Sequence, residues 1–243
     1  MSDITRYFGK SCEIPHIERG SYIPVGGTSQ FTDEMDVKAL VDWGGLESLV
    51  HEMRDAASKY DIPKLKAWLE SGNIDVDENL FATLYAFTNV YNQRVGFKPD
   101  SAKRSEIYHN GSPKLSDVIF DNAGECSEIA AVAQLYLQEE GIDSTYFSGE
   151  VLWNKEWEFA EAHTFVPLKF DGQEYIFDPA NPYKASSTDG AEMLMPRIQK
   201  VENFRDKVGQ GKKAYVETTS VLNQSPAWYG VGNGTNVSER DFV

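Results

Sequence analysis

Cys126 opens the most regular helical pattern of the chain, in which Ile129, Val132, Ala133, Tyr136 and Leu137 recur at helix spacing until Gly141. A thiol in the first turn of a helix meets unpaired N–H groups and the positive end of the helix dipole, and both favour the thiolate. Such a group is a nucleophile that needs a base. Further along, Ala162 to Phe170 and Gln173 to Asp178 read as strands flanking Asp171-Gly172, a strong hairpin signal. A two-residue loop there pairs Phe170 with Gln173, Leu168 with Tyr175, Val166 with Phe177, Phe165 with Asp178 and His163 with Ala180. The face carrying Val166, Leu168, Phe170, Tyr175 and Phe177 is apolar and belongs to a core. His163 and Asp178 share the other face one diagonal step apart, roughly 7 to 8 Å between backbones. A carboxylate beside a histidine sets its tautomer and raises its basicity, as a base for a thiol requires. Cys126, His163 and Asp178 are therefore the candidate catalytic set, and the alternative is a packed cysteine with an unrelated His–Asp pair at a strand end. Pro167, paired with Ile176, has no N–H for a strand on its other side, which predicts an edge or a bulge there.

The elements that must position these residues follow from pattern and punctuation. The first thirty or so residues, rich in Gly, Pro and Ser, read as an irregular arm. From Asp36 to about Tyr60 the spacing predicts two short helices or one kinked at Gly44-Gly45. Asp61 with Pro63 starts a helix that Gly72 stops, and Asp77 caps a longer one running to about Arg94. A turn-rich stretch containing Pro99, Gly111 and Pro113 precedes a short helix through Leu115 and Val118, and then the Cys126 helix. Ser144 to Trp153 is a further strand. Beyond the hairpin we expect a helix over Met195 to Val208, a strand over Ala214 to Thr219, and a loop-like tail in which Trp228-Tyr229-Gly230 covers the cleft.

Composition narrows the class. The chain has 243 residues, 41% hydrophobic and 25% charged, as in ordinary globular proteins. Its net charge of -15 is the wrong sign for tracking nucleic acid or an anionic membrane. Apolar runs are far shorter than the roughly 20 residues that span a bilayer, and Met1 to Tyr7 has no signal-peptide pattern, so a cytoplasmic protein is expected. Cys12 and Cys126 are the only cysteines, too few for a disulfide framework or an all-cysteine zinc site. His16, His51 and His109 lack metal spacing.

Gly124-Glu125-Cys126-Ser127-Glu128-Ile129-Ala130 resembles the nucleophile helix of the transglutaminase-like superfamily of papain-like cysteine enzymes, with Glu125 where that family often has Asp. Ala162-His163-Thr164-Phe165-Val166 and Tyr175-Ile176-Phe177-Asp178-Pro179 resemble its His and Asp strands, in the same order. Asn92-Gln93-Arg94-Val95-Gly96-Phe97 is similar to the Asn-containing helix end of bacterial transglutaminase-like cysteine proteases, and Ser112-Pro113-Lys114-Leu115 to their connecting helix. The resemblance covers about Leu84 to Tyr183 and implies an α+β, papain-like core with the nucleophile helix packed on an antiparallel sheet. It implies attack of Cys126 on an amide carbonyl, with His163 as acid and base and Asp178 orienting it. Oxyanion donors would be the Cys126 N–H and the side chain of Asn92 or Gln93.

Trp153 and Trp157 are the expected substrate walls, in a loop that Glu156, Glu158 and Glu161 make acidic. The expected organisation is an N-terminal arm with helices (1–76), a catalytic core (77–185) and a C-terminal extension (186–243). The expected substrate is a protein or peptide, with no cofactor required. Hydrolysis of a peptide bond or glutamine side chain leads; transfer to an amine and a silent binding module on the same fold are the alternatives. Acetyl transfer is disfavoured, because Cys126 lacks the Arg-Gly-Gly approach of arylamine acetyltransferases.

Overall fold

Local signals set most of the element ends, but the amino terminus departs from them. The computed structural model describes residues 6–8, 11–25, 37–154, 160–186, 192–209, 213–222, 225–232 and 238–243. The expected irregular arm contains strands β1 (Arg6–Phe8), β2 (Ser11–Ile14) and β3 (Tyr22–Pro24), the last paired with β4 (Lys38–Leu40). Helix α1 (Trp43–Ser58) carries Gly44 and Gly45 in its first turn and continues unbroken, so these glycines mark a start and not a kink. Asp61 accepts the Lys64 N–H ahead of α2 (Ile62–Ser71), and Asp77 accepts those of Asn79 and Leu80 ahead of α3 (Glu78–Arg94). Where the sequence reads as turns lies α4 (Ser101–His109), capped by Asp100. Its pattern is hidden because its two buried residues, Arg104 and Tyr108, are polar. Next come α5 (Leu115–Phe120) and α6 (Cys126–Glu139), after which Gly141 has φ +71°, the left-handed stop of a helix.

The strands that follow close on themselves. β5 (Asp143–Ser144) and β6 (Tyr146–Leu152) both pair with β7 (Glu161–Phe170), and β7 pairs with β8 (Gln173–Ser186) in the expected register, Val166 opposite Phe177. Asp171 and Gly172, at φ 47° and 81°, make the tight turn. Opposite Pro167 the neighbouring strand is interrupted between β5 and β6, and the Thr145 N–H donates to the Pro167 carbonyl at 2.9 Å, so the proline sits where no donor is needed. β8 pairs with β9 (Glu192–Val201), β9 with β11 (Thr219–Ser220), β10 (Ala214–Glu217) with β12 (Trp228–Val231), and β12 with β6. Only Thr218 separates β10 from β11, so the ring β6–β7–β8–β9–β11/β10–β12–β6 is complete. Phe147, Phe165, Ile176, Val216 and Tyr229 fill its inside together with Phe204 and Val208 of α7 (Phe204–Val208). Val166, Leu168, Tyr175 and Phe177 point the other way, onto α3 and α6. The molecule is thus an α+β protein with two large cores, one inside the strands and one between strands and helices, and a small separate cluster of Leu152, Tyr215 and Trp228.

Two C-terminal expectations are corrected. Met195 to Val201 is strand, not helix: β9 is buried on both faces against β8, so its apolar residues do not alternate and mimic helix spacing. Trp228-Tyr229-Gly230 is a buried strand within the ring, not a loop over the cleft. Gly230 is there for close approach, since a Cβ would lie 1.9 Å from the Ala214 carbonyl oxygen. The sheet draws on all three expected segments, with β2 pairing to β6 from the first and β9 and β12 joining from the last. Among the described residues no helix is long and apolar enough to cross a membrane.

Candidate active site

Cys126 is the first residue of α6, half-exposed, while the rest of that helix is buried on nearly every side. Gly124 lets the chain enter close to the preceding helix, because a Cβ would lie 2.8 Å from Ile119 Cδ1. Glu128 accepts the Glu125 N–H at 3.0 Å, and the Ser101 hydroxyl donates to Glu125 Oε1 at 2.8 Å. Behind this turn lies a buried charged network: Arg104 Nε donates to Glu128 Oε1 at 3.0 Å and the Tyr108 hydroxyl to the same oxygen at 2.7 Å. The helix start that carries Cys126 is therefore tied to α4 by an ion pair in the core.

His163 and Asp178 reach Cys126 from the strands. The β7–β8 ladder ends at Val166–Phe177, so the expected Phe165–Asp178 and His163–Ala180 pairings do not form. Instead the two side chains face inward at the open end of the strand ring and meet. His163 Nε2 donates to Asp178 Oδ2 at 2.9 Å, and His163 lines one pocket with Cys126. With Nε2 committed to Asp178, Nδ1 is the ring nitrogen left for the thiol. The Asp178 carboxylate, fully buried, also accepts the Tyr229 hydroxyl at 3.0 Å and the Asn181 amide at 3.2 Å.

The electrostatics follow from those partners. Burial disfavours the imidazolium, but the Asp178 carboxylate and the Cys126 sulfur outweigh it and push His163 up to about 10. Burial likewise opposes ionisation of Asp178, and His163, Arg197 and Asn181 outweigh it, holding the carboxyl below its ordinary range. Tyr229 is driven well above the ordinary phenol value by burial and by Asp178, so its hydroxyl stays a donor. By contrast burial pushes the Cys12 thiol up to about 12, which leaves it inert.

Cys126, His163, Trp153, Glu161 and Asn181 line one pocket of about 220 Å³. Trp153 lines this pocket, its ring 5.8 Å from that of His163 and its Nε1 donating to Glu161 at 2.9 Å. Trp157, with Glu156 and Glu158, lies outside the described residues. Neither expected oxyanion side chain lines this pocket. Asn92 faces the adjoining cleft, and Gln93, one residue on along α3, faces a groove beside α1, because consecutive helix positions diverge by about 100°. The Cys126 N–H, in the first turn of α6, is the donor the site retains.

No protein-family model, curated protein or solved structure matches this chain. Sequence reasoning missed Asn181, Tyr229 and Arg197, whose Nε donates to the Asn181 carbonyl at 3.0 Å. Asn181, three residues after Asp178, was open to local reading; Tyr229 was not, since only closure of the ring brings it there. Among the described residues no group of three or more His, Cys, Asp or Glu is arranged to hold a metal ion.

Proposed function

We propose that this protein is a cysteine-dependent acyl-transfer enzyme of transglutaminase-like type that acts on amide bonds, with hydrolysis as its main outcome. One observation carries the reading: a histidine hydrogen-bonded to a buried carboxylate lines one pocket with a thiol at a helix start. The chain order Cys126, His163, Asp178 and the packing of α6 on antiparallel strands support it.

His163 takes the Cys126 proton, and the thiolate adds to the amide carbonyl carbon. Negative charge then develops on the carbonyl oxygen near the Cys126 N–H. As the C–N bond breaks, His163 returns the proton to the leaving nitrogen, and a thioester on Cys126 remains. Water attacks next, His163 removes its proton, the C–S bond breaks and the carboxylate leaves. An amine in place of water would give transamidation by the same sequence. Asp178 holds the ring and stabilises the imidazolium without itself taking a proton.

The test is the rate of Cys126 alkylation by iodoacetamide from pH 5 to 9, in a Cys12→Ser background. The expected profile has reached its plateau by about pH 6 and loses this low-pH reactivity in His163→Ala. A rate rising with an ordinary thiol pKa near 8.5 would overturn the proposal in favour of a binding module. Given the plateau, ammonia release, peptide cleavage and amine incorporation separate deamidase, protease and transglutaminase.

A further inference from the structure

The nucleophile pocket does not end at Asn181. Phe97, Ala180 and Asn181 also line a second cleft of about 730 Å³, more than three times the volume of the pocket it adjoins. The chain has twelve asparagines, and four of them, Asn89, Asn92, Asn122 and Asn181, line this one cleft. They come from α3, from the turn before α6 and from β8, so no local repeat explains their convergence. Three are already oriented through their amide nitrogens: Asn89 donates to the Tyr85 carbonyl, Asn122 to the Lys98 carbonyl and Asn181 to Asp178. Their side-chain oxygens remain as uncharged acceptors. Between them lies apolar surface from Phe97, Met193 and Leu194; the Lys184–Glu192 ion pair at 2.9 Å neutralises itself, and the exposed Lys98 is the remaining charged residue of the lining.

We infer that this cleft holds the acyl side of the substrate as an extended, uncharged polypeptide segment. The inference rests on the proposed function, because it takes Cys126 as the attacking atom. Main-chain N–H groups need acceptors spaced along a groove, and small apolar side chains need the surface between them; the cleft offers both. Direction follows from the chemistry. The leaving amine takes its proton from His163, whose ring is against Trp153, so it departs at the Trp153–Glu161 end of the pocket. The acyl portion stays on Cys126 and extends past Asn181 into the cleft. Asn92, expected from the sequence to hold the oxyanion, acts instead on the substrate main chain.

The experiment compares inactivation of the Cys12→Ser protein by two reagents, acetylglycine chloromethyl ketone and acetyl-Ala-Ala-Ala-Gly chloromethyl ketone. Each rate is divided by the iodoacetamide rate of the same protein. Two or three main-chain hydrogen bonds, at about 1 kcal/mol each, predict a gain of about 30- to 150-fold for the longer reagent. Asn92→Leu, on the surface, and Met193→Glu, which places a charge on the apolar floor, should each cut that gain at least about threefold. Replacing the three alanines of the reagent by lysine should also cut it, because Lys98 lines the cleft. Equal normalised rates for the two reagents would overturn the cleft assignment and leave the nucleophile intact. A gain that survives in both variants would overturn it as well, since the peptide would then lie elsewhere. An ordinary thiol profile with iodoacetamide refutes the catalytic reading alone, because the ratio of the two reagents still reports on the cleft.

Discussion

Two carboxylates are completely buried on either side of Cys126, and the protein holds them in opposite ways. Glu128, on the helical side, is met by the Arg104 guanidinium and the Tyr108 hydroxyl. Asp178, on the strand side, is met by a hydroxyl, a carboxamide and an imidazole. Arginine does not lose its proton in a protein, so the Glu128 network is static and locks the start of α6 to α4. Histidine does, so the Asp178 network keeps one movable proton and aims it at the thiol. Burial with a permanent cation makes an anchor. Burial with neutral direct donors and a titratable partner, the nearby Arg197 guanidinium being bonded to the Asn181 carbonyl and acting on Asp178 through its charge alone, leaves a site able to do chemistry.

The contrast breaks most sharply under isosteric neutralisation. Asp178→Asn should lower the pH 6 alkylation rate of Cys126 by about 10²- to 10⁴-fold, the range over which a positioned acid or base acts, with the protein still folded. Glu128→Gln should instead lower the urea midpoint and leave the alkylation rate per folded molecule within about threefold. Equal effects in the two variants would erase the distinction. Next in size is Arg104→Ala, which strands the Glu128 charge in the core and should cost about 3–5 kcal/mol in urea unfolding. Smaller again is Tyr229→Phe, which removes one donor from Asp178 and should slow alkylation at pH 6 by about tenfold, the weight of one hydrogen bond to a charged group.

pH separates the two networks by direction alone. His163 is raised from its ordinary 6.5 to about 10, so the stability it contributes is fully present below about 6.5 and is lost as pH rises through about 10. The unfolding free energy of the wild type minus that of His163→Gln should therefore shrink between pH 7 and 10. The corresponding difference for Arg104→Ala should stay level over that window, because the guanidinium, raised further above its ordinary value, remains charged.

Much of this arrangement was legible from local pattern. The hairpin register followed from alternation and from Asp171-Gly172, and the break opposite Pro167 followed from a missing N–H. The caps at Asp61 and Asp77, and Cys126 as first residue of its helix, were equally plain. Each of these depends on residues a few positions apart, where backbone geometry alone selects the outcome. β9 and α4 were not legible, because a strand buried on both faces loses its alternation and a helix anchored by arginine shows no apolar stripe.

Residue type and spacing along the chain were enough to name Cys126, His163 and Asp178 and to put His163 and Asp178 on one face of a hairpin. Folding in space decided that β12 would close the ring and bring Tyr229 to Asp178, that Arg104 would lie beneath the Cys126 helix, and that four scattered asparagines would share one cleft. Register and capping are fixed by neighbours in the chain. Partners some two dozen or more residues apart are chosen by which surfaces must be buried together, and that choice exists only once the cores have formed.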